Sequence, residues 1–407
     1  MRFRFILIGC LLVTATCSAW AQQDLVNVRD CGAKGDGKAD DAQAFFDAVA
    51  QGKQAGKHVY VPRGVYRLSR TIELENIGIT GPPVGAWSAD VDALPQIVPA
   101  QATGPVFHML AGGSLRGLDI SYAPGLPEER PPTVLVSGIG VNISNCRIRY
   151  PWDAILTDGV NNVGRLNIEN VFIVSPLNVG VRVTGTWDVP TLRNIEVWNA
   201  GPVPRGLEKG IGFLLGKNDL IRVTDCFAFA MQRGFLIEDK IPGCKIEGGT
   251  WGLLTGCGTD FCGYGIEVRG EDTVSIAGGT FWDHAESLVV AGKGARVRVS
   301  AAELKSNGAP ALSIQGGDQT VIQGCSILRP MEQFKAPAVS FTGGNLVLTG
   351  NHIEARGPGI QVGPGAAGGV ISNNFITTGA FPAVVQTGAP SKLLRLEGNV
   401  EEDAAGK

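Results

Sequence analysis

Past residue 21 this 407-residue chain has no apolar run long enough to cross a bilayer, which excludes a membrane-spanning helix in that part. It has no surplus of basic charge either. Its 35 Lys and Arg face 38 Asp and Glu, for a net charge of −3, and this gives no support to nucleic-acid binding. From Leu115 onward no stretch sustains a helical apolar period, so helices do not build that region. Histidine is scarce, with four copies. No further metal ligands cluster near the one close cysteine pair, Cys257 and Cys262, so a metal centre is not expected there.

What is present is a repeat. A six-residue phrase recurs from Leu115 to the C-terminus, of the form apolar, any, small or Asn, small or Asn, any, apolar. Its copies begin at Leu115, Ile143, Ile168, Leu192, Val223, Ile246, Ile276, Val299, Ile322, Leu348, Ile371 and Leu396, 23 to 31 residues apart. A period in that range signals a solenoid, whose repeats bury their apolar faces only by stacking. Between copies lie short alternating segments such as Val181-Arg182-Val183, Ile266-Glu267-Val268 and Leu312-Ser313-Ile314. Alternation at period two marks strands with one buried and one wet face. Each repeat then reads as strand, tight turn, strand, loop, strand: one rung of a right-handed parallel β-helix with three sheets and about twelve rungs. The tight turn falls on Asn145, Asn170, Asn194, Asn351, Asn373, Asn374 and Asn399, or on Gly. Both residue types accept a left-handed corner, and stacked Asn can bond between rungs. By the same pattern Trp251 falls in a buried column, while Trp198 and Trp282 face out.

The first 21 residues read as a secretory signal peptide: Arg2 and Arg4, an apolar Phe5-to-Val13 stretch, and a small-x-small Ala19-Trp20-Ala21 site. The expected organisation is a signal peptide at 1–21, an N-terminal strand-helix cap at 22–70, the β-helix at 71–400 and a flexible tail at 401–407. The expected destination is outside the cell or the periplasm. Seven cysteines follow the signal segment. Cys146 and Cys226 stand three rungs apart, roughly 14 Å at about 4.8 Å per rung, too far for a disulfide. Cys257 and Cys262 share one Gly-rich loop in this reading and could close it in an oxidising compartment.

The N-terminal segment Val26-Asn27-Val28-Arg29-Asp30 reads as a strand. Gly32 to Asp41 is a loop, and Ala42 to Ala50 a helix with Asp40 as N-cap and Gln43 completing a capping box. This helix is placed to plug the open end of the solenoid. The run NVRDCGAKGDGKADDAQAFFDAV, followed by VYVPRGVYRL, resembles the opening signature of the pectate-lyase-like superfamily, which includes rhamnogalacturonase- and polygalacturonase-related proteins. The resemblance implies a pectin-lyase-like β-helix acting on polysaccharide. It leaves the reaction open. Of the polygalacturonase motifs Asn-Thr-Asp, Asp-Asp, Gly-His-Gly and Arg-Ile-Lys, Thr157-Asp158-Gly159 matches part of the first and the other three are missing. Phe281-Trp282-Asp283-His284 touches the Trp-x-Asp-His motif of calcium pectate lyases and the Asp-Pro-His-Asp motif of mannuronan epimerases without satisfying either.

In related β-helix enzymes the sugar chain lies along the strand of each rung that follows the loop, and outward charge concentrates there in the middle rungs. Glu238, Glu267, Arg269, Asp283 and His284 are the catalytic candidates. Arg182, Arg233, Tyr264, Trp282 and Glu286 are the candidates for substrate binding. Glu238 and Glu267 on adjacent strands suit glycoside hydrolysis, as acid and as nucleophile or base. A lyase or epimerase would instead use Arg269 to neutralise a uronate and His284 or Tyr264 as base. No cofactor is required for hydrolysis, and calcium would enter only for a lyase. The expected function is an exported enzyme that cleaves or modifies an acidic polysaccharide, hydrolysis being favoured by the N-terminal resemblance. The rival is a non-catalytic protein that binds exopolysaccharide. Convergence of Glu238, Glu267 and His284 on one cleft would favour the enzyme, and their pairing around the coil the binder.

Overall fold

Each rung forms because alternation gives its short strands an apolar inner edge, which stacking on the next rung then buries. A computed structural model describes residues 25–87, 93–100, 103–124, 129–199, 204–329, 333, 335–388 and 391–403. The expected signal segment lies outside the described residues. Among the described residues all pairings between strands are parallel, and the chain winds as a right-handed β-helix. Among the described residues the first two sheets join into one of 28 strands, because Asn167–Val174 and Thr191–Trp198 run through the corner between them. The third sheet stacks 13 strands from Ile72–Leu74 to Val384–Gln386. The coil is longer than about twelve rungs because Ile72–Leu74 and Phe107–Met109 precede the first copy of the phrase. At the other end Val400–Asp403 still pairs with Phe375–Thr378, so the strands pass residue 400. One continuous apolar core runs inside from Val26 to Ala383.

The corner between the first and second sheets follows the phrase. Asn145, Asn170, Asn194 and Asn373 take φ of 52°, 52°, 50° and 54°; Gly holds the same place on most other rungs, and Asp225 and Ala301 hold it at 54° and 53°. The next residue points inward. It is Cys at 146, 226, 257 and 325, and Asn at 351, 374 and 399. The inward asparagines form a hydrogen-bonded ladder: Asn351 Nδ2 donates to Asn374 Oδ1 at 2.9 Å, and Asn374 Nδ2 to Asn399 Oδ1 at 2.9 Å. Cys257 and Cys262 are both free and buried, at the two ends of the strand segment around Gly258–Asp260, so no exposed loop joins them.

One copy of the phrase is false. Ile246 to Trp251 fits the pattern, yet the rung at this level turns at Leu254-Thr255-Gly256-Cys257, with Leu254 in register with Val223 and Ile276. Trp251 is therefore not core but 53% exposed. Ile246 belongs instead to an excursion, residues 239–249, which folds back over the third sheet. Its Lys245 and Ile246 amides donate to Gly159 O at 2.8 and 3.0 Å.

The N-terminal helix α1 spans Ala42–Ala55 and buries Ala44, Phe45, Ala48, Val49 and Gly52 against the open end of the core. The capping box does not form. Asp41 occupies the cap position with no side-chain cap bond. Its carboxylate instead accepts from the Lys34 and Gly35 amides, and Gln43 turns to Asp47 and Arg70. Asp40 accepts from the amides of Ala42 and Ser69. Tying down the glycine-rich loop outcompetes the helix end for these groups.

Candidate active site

Parallel stacking brings Arg233, Tyr264 and Glu286 into one column on the outer face of the third sheet, and Leu236, Glu267, Val289 and Ser313 into the next. Glu238 and Arg269 follow their strands directly. These side chains meet in a network. Arg233 Nε donates to Glu267 Oε2 at 2.5 Å, and Arg269 Nε to Glu267 Oε1 at 2.8 Å. The same Arg269 reaches Glu238 Oε2 through Nη1 at 3.8 Å. One guanidinium thus bridges the two carboxylates. Arg233 also lies over the Tyr264 ring, 5.4 Å from its centroid. Ser313 Oγ donates to Glu286 one rung on.

Burial pushes the Glu238 carboxyl above its ordinary range; Arg269 opposes this and Glu267 adds to it. Burial likewise raises Glu286, against the Ser313 hydrogen bond. Glu267 is largely buried, with a guanidinium on each oxygen.

The remaining candidates lie elsewhere. Arg182 stands three strands before Glu267 in the same column, roughly 14 Å away at about 4.8 Å per strand. Its Nη2 donates to Thr157 O. Outward Leu156, Val179, Leu214 and Leu236 form a second apolar cluster there with Ile241, in the excursion that roofs this part of the sheet. Asp283 is a correction. The loop expected at 283–286 is a strand up to Asp283, whose side chain points inward and is 1% exposed. It accepts from Thr259 Oγ1 at 2.8 Å, its Oδ1 has no partner, and burial raises its carboxyl well above the usual range. It cannot reach a substrate. His284 sits outside, at the corner between second and third sheets, edge-on to Phe261 with centroids 5.1 Å apart. Trp282 belongs to the outer face of the second sheet, where Nε1 donates to Glu303 and Lys305 lies 4.0 Å above the ring. Glu238 and Glu267 therefore share a site, and His284 does not join them.

A line of aromatic rings was not anticipated. Trp198, Phe229, Phe261 and His284 succeed one another on consecutive rungs, with centroids 6.2, 5.8 and 5.1 Å apart. The line borders the charged site: Phe261 comes three residues before Tyr264 and His284 two before Glu286. The equivalent spacing of Trp198 and Phe229 within their repeats was its signal in the sequence.

Comparison with known proteins agrees with this architecture. Residues 25–98 match the family model described as rhamnogalacturonase A/epimerase, pectate lyase-like, and residues 240–400 match that of a right-handed β-helix region. The pectate-lyase-like resemblance of the opening segment is therefore shown. The uncharacterized protein YclG of Bacillus subtilis (strain 168) is 23% identical over 368 residues, 83% of this chain and 56% of that protein. The chain thus spans about half the length of the curated relative it matches. PfbA, a surface adhesin of Streptococcus pneumoniae, is similar at a TM-score of 0.53 and 14% identity, over 90% of this chain and 93% of that one. The catalytic domain of a GH87 α-1,3-glucanase, in complex with nigerose, is similar at a TM-score of 0.51 and 14% identity, over 89% and 67%. These likenesses are of fold.

Proposed function

We propose that this pectate-lyase-like β-helix protein is exported and acts on an acidic polysaccharide laid along the coil axis, over the third sheet and its aromatic border. The observation that carries the reading is the Arg233–Glu267–Arg269–Glu238 network on two adjacent rungs, beside a line of rings. Sugar rings stack on aromatic faces through their C–H edges, and a ladder along the axis offers such faces at regular steps. Arg269, the more exposed of the two guanidiniums, meets acid groups of the chain.

Hydrolysis is the reaction these groups suit best. Glu238, its pKa raised by burial, keeps its proton closer to neutral pH and donates it to the leaving glycosidic oxygen. Glu267, fixed between two guanidiniums, faces the positive charge that develops at the anomeric carbon and takes the proton of the water whose oxygen bonds there. A second reading has its own observation. Both Glu267 oxygens are already paired, Glu238 shares Arg269, and His284 stands apart on Phe261, the arrangement expected of a protein that holds polysaccharide without cutting it.

The deciding measurement is mass spectrometry of products after incubation with a panel of acidic and neutral polysaccharides. Hydrated oligosaccharides are expected, and Glu238→Gln should lower their rate of formation by at least about a hundredfold. Products lacking one water would replace hydrolysis by elimination. Saturable binding without products, unchanged in Glu238→Gln, would establish the binding reading.

A further inference from the structure

Residues Gly85, Ala86 and Trp87, in the connection after the strand Gly78–Thr80, lie against the outer face of the second sheet, on the other side of the coil corner from the charged site. Trp87 is 63% exposed yet packs edge-on against Phe172, with centroids 4.2 Å apart, and tilted against Trp198 at 5.9 Å. Between this ring and the corner column is a cleft of about 310 Å³, lined by Trp87, Phe172, Asn145, Asn170, Asn194 and Glu196 among others.

The polar groups of this cleft are not consumed by the fold. Asn145, Asn170 and Asn194 hold left-handed corners on three successive rungs. Their left-handed backbone does not call for an amide, since Gly117, Gly256, Asp225 and Ala301 hold the same corner on other rungs. The amides are thus extra to the turn. Asn194 Nδ2 donates to Asn170 Oδ1 at 2.8 Å, which leaves Asn194 Oδ1 and the Asn170 and Asn145 amide groups for other partners. Glu196 is half-buried beside them with no partner among the described residues, and burial alone raises its carboxyl. A half-buried carboxylate without a partner costs free energy, and a ligand hydroxyl would remove that cost. None of the described lining residues is basic.

We infer that this cleft is a separate carbohydrate-binding site for a neutral pyranose unit, stacked on Trp87 and hydrogen-bonded by the Asn145–Asn170–Asn194 amides and Glu196. A pyranose offers an apolar C–H face to a ring and a rim of hydroxyls to amides and a carboxylate. A uronate is disfavoured, since its charge would face Glu196 with no lining cation. The site requires no chemistry at Glu238 and Glu267, and it stands whether or not those residues cut a chain.

The test is titration of the full-length protein with cellohexaose, maltohexaose, mannohexaose and hexagalacturonate, followed by tryptophan fluorescence and calorimetry. One of the neutral hexasaccharides is expected to bind saturably. Trp87→Ala should weaken it by at least about tenfold, and Glu267→Gln should leave it unchanged. Because Trp87 also packs on Phe172, Glu196→Gln provides a variant that keeps the packing, and it should weaken binding by about threefold or more. The inference is overturned if no neutral hexasaccharide saturates the protein. It is equally overturned if Trp87→Ala and Glu196→Gln both bind as the parent does, if hexagalacturonate binds most tightly through this cleft, or if binding is lost in Glu267→Gln alone.

Discussion

Replacing Asn374 by alanine is expected to destabilise the C-terminal rungs by about 3–5 kcal/mol, from two or three buried groups left unpaired at about 1–3 kcal/mol each. The side chain of Asn374 is 1% exposed and central to the inward ladder. Its Oδ1 accepts from both the backbone N and Nδ2 of Asn351, at 3.0 and 2.9 Å, and its Nδ2 donates to Leu348 O and Asn399 Oδ1, each at 2.9 Å. Alanine removes all four at once, in a place that water does not reach. Cysteine is the informative control. It fills the equivalent position at Cys146, Cys226 and Cys325, where Sγ lies 3.3–3.4 Å from the carbonyl two residues earlier. Asn374→Cys should therefore restore packing without the amide acceptor, and fall between parent and alanine. Hydrogen exchange is the proper readout, because a solenoid can open rung by rung rather than in one step. The Asn351 amide should exchange much faster in the alanine variant. Unchanged exchange there, with an unshifted melting temperature, would show that the ladder contributes nothing.

Raising the pH from about 4 to about 7 is expected to cost stability through buried carboxyls inside and just outside the coil. Burial lifts Asp153 and Asp272 from 3.8 to about 6, against the hydrogen bonds each accepts, and lifts Asp283 well above its usual range. The folded protein then binds more protons than the unfolded chain between these limits. Stability therefore falls as pH rises through that window, by roughly 3 kcal/mol for each group raised about two units. Amide replacement separates the three. Asp153 takes both its hydrogen bonds, from Asn178 Nδ2 and the Val179 amide, on Oδ1, so an amide nitrogen fits at Oδ2. Asp283 uses Oδ2 for Thr259, and an amide nitrogen fits at its unpartnered Oδ1. Asp153→Asn and Asp283→Asn should thus stabilise the protein near pH 7 and flatten its pH dependence. Asp272 accepts from the Thr250 amide on Oδ1 and the Gly270 amide on Oδ2, so Asp272→Asn sets a donor against a donor and should not stabilise. Denaturation at pH 4 and pH 7 checks all three. A difference between parent and Asp283→Asn that did not change with pH would refute the assignment of Asp283 as a proton-holding group.

The amino-acid sequence by itself determined the coil, because the rung is a local object. Alternation sets which side chains point in, Asn or Gly at the third place of most copies of the phrase marks the corner, and the period sets the stacking. The N-terminal plug was legible for the same reason, since Phe45 and Val49 share a helical face. Outward charge on the third sheet was legible too, and Glu238, Glu267, Arg269, Arg233, Tyr264 and Glu286 came together because parallel stacking converts equal places in successive repeats into neighbours.

Only the tertiary structure decided the register at Ile246, where the six-residue pattern is met by a segment that lies over the third sheet instead of forming a rung. That excursion displaced Trp251 from the core and covered the sheet around Arg182. Tertiary structure also turned Asp283 inward. Strand ends are fixed by hydrogen bonds to the neighbouring rungs, and a shift of one residue moves a side chain to the other face. The Trp87 cleft was beyond sequence reading because, although the phrase aligns Asn145, Asn170 and Asn194 on successive rungs, no local pattern brings Trp87 to them. Local periodicity fixes the position of each residue on its own rung. Where the chain leaves the coil, and what an excursion lands on, depends on contacts between residues far apart in sequence.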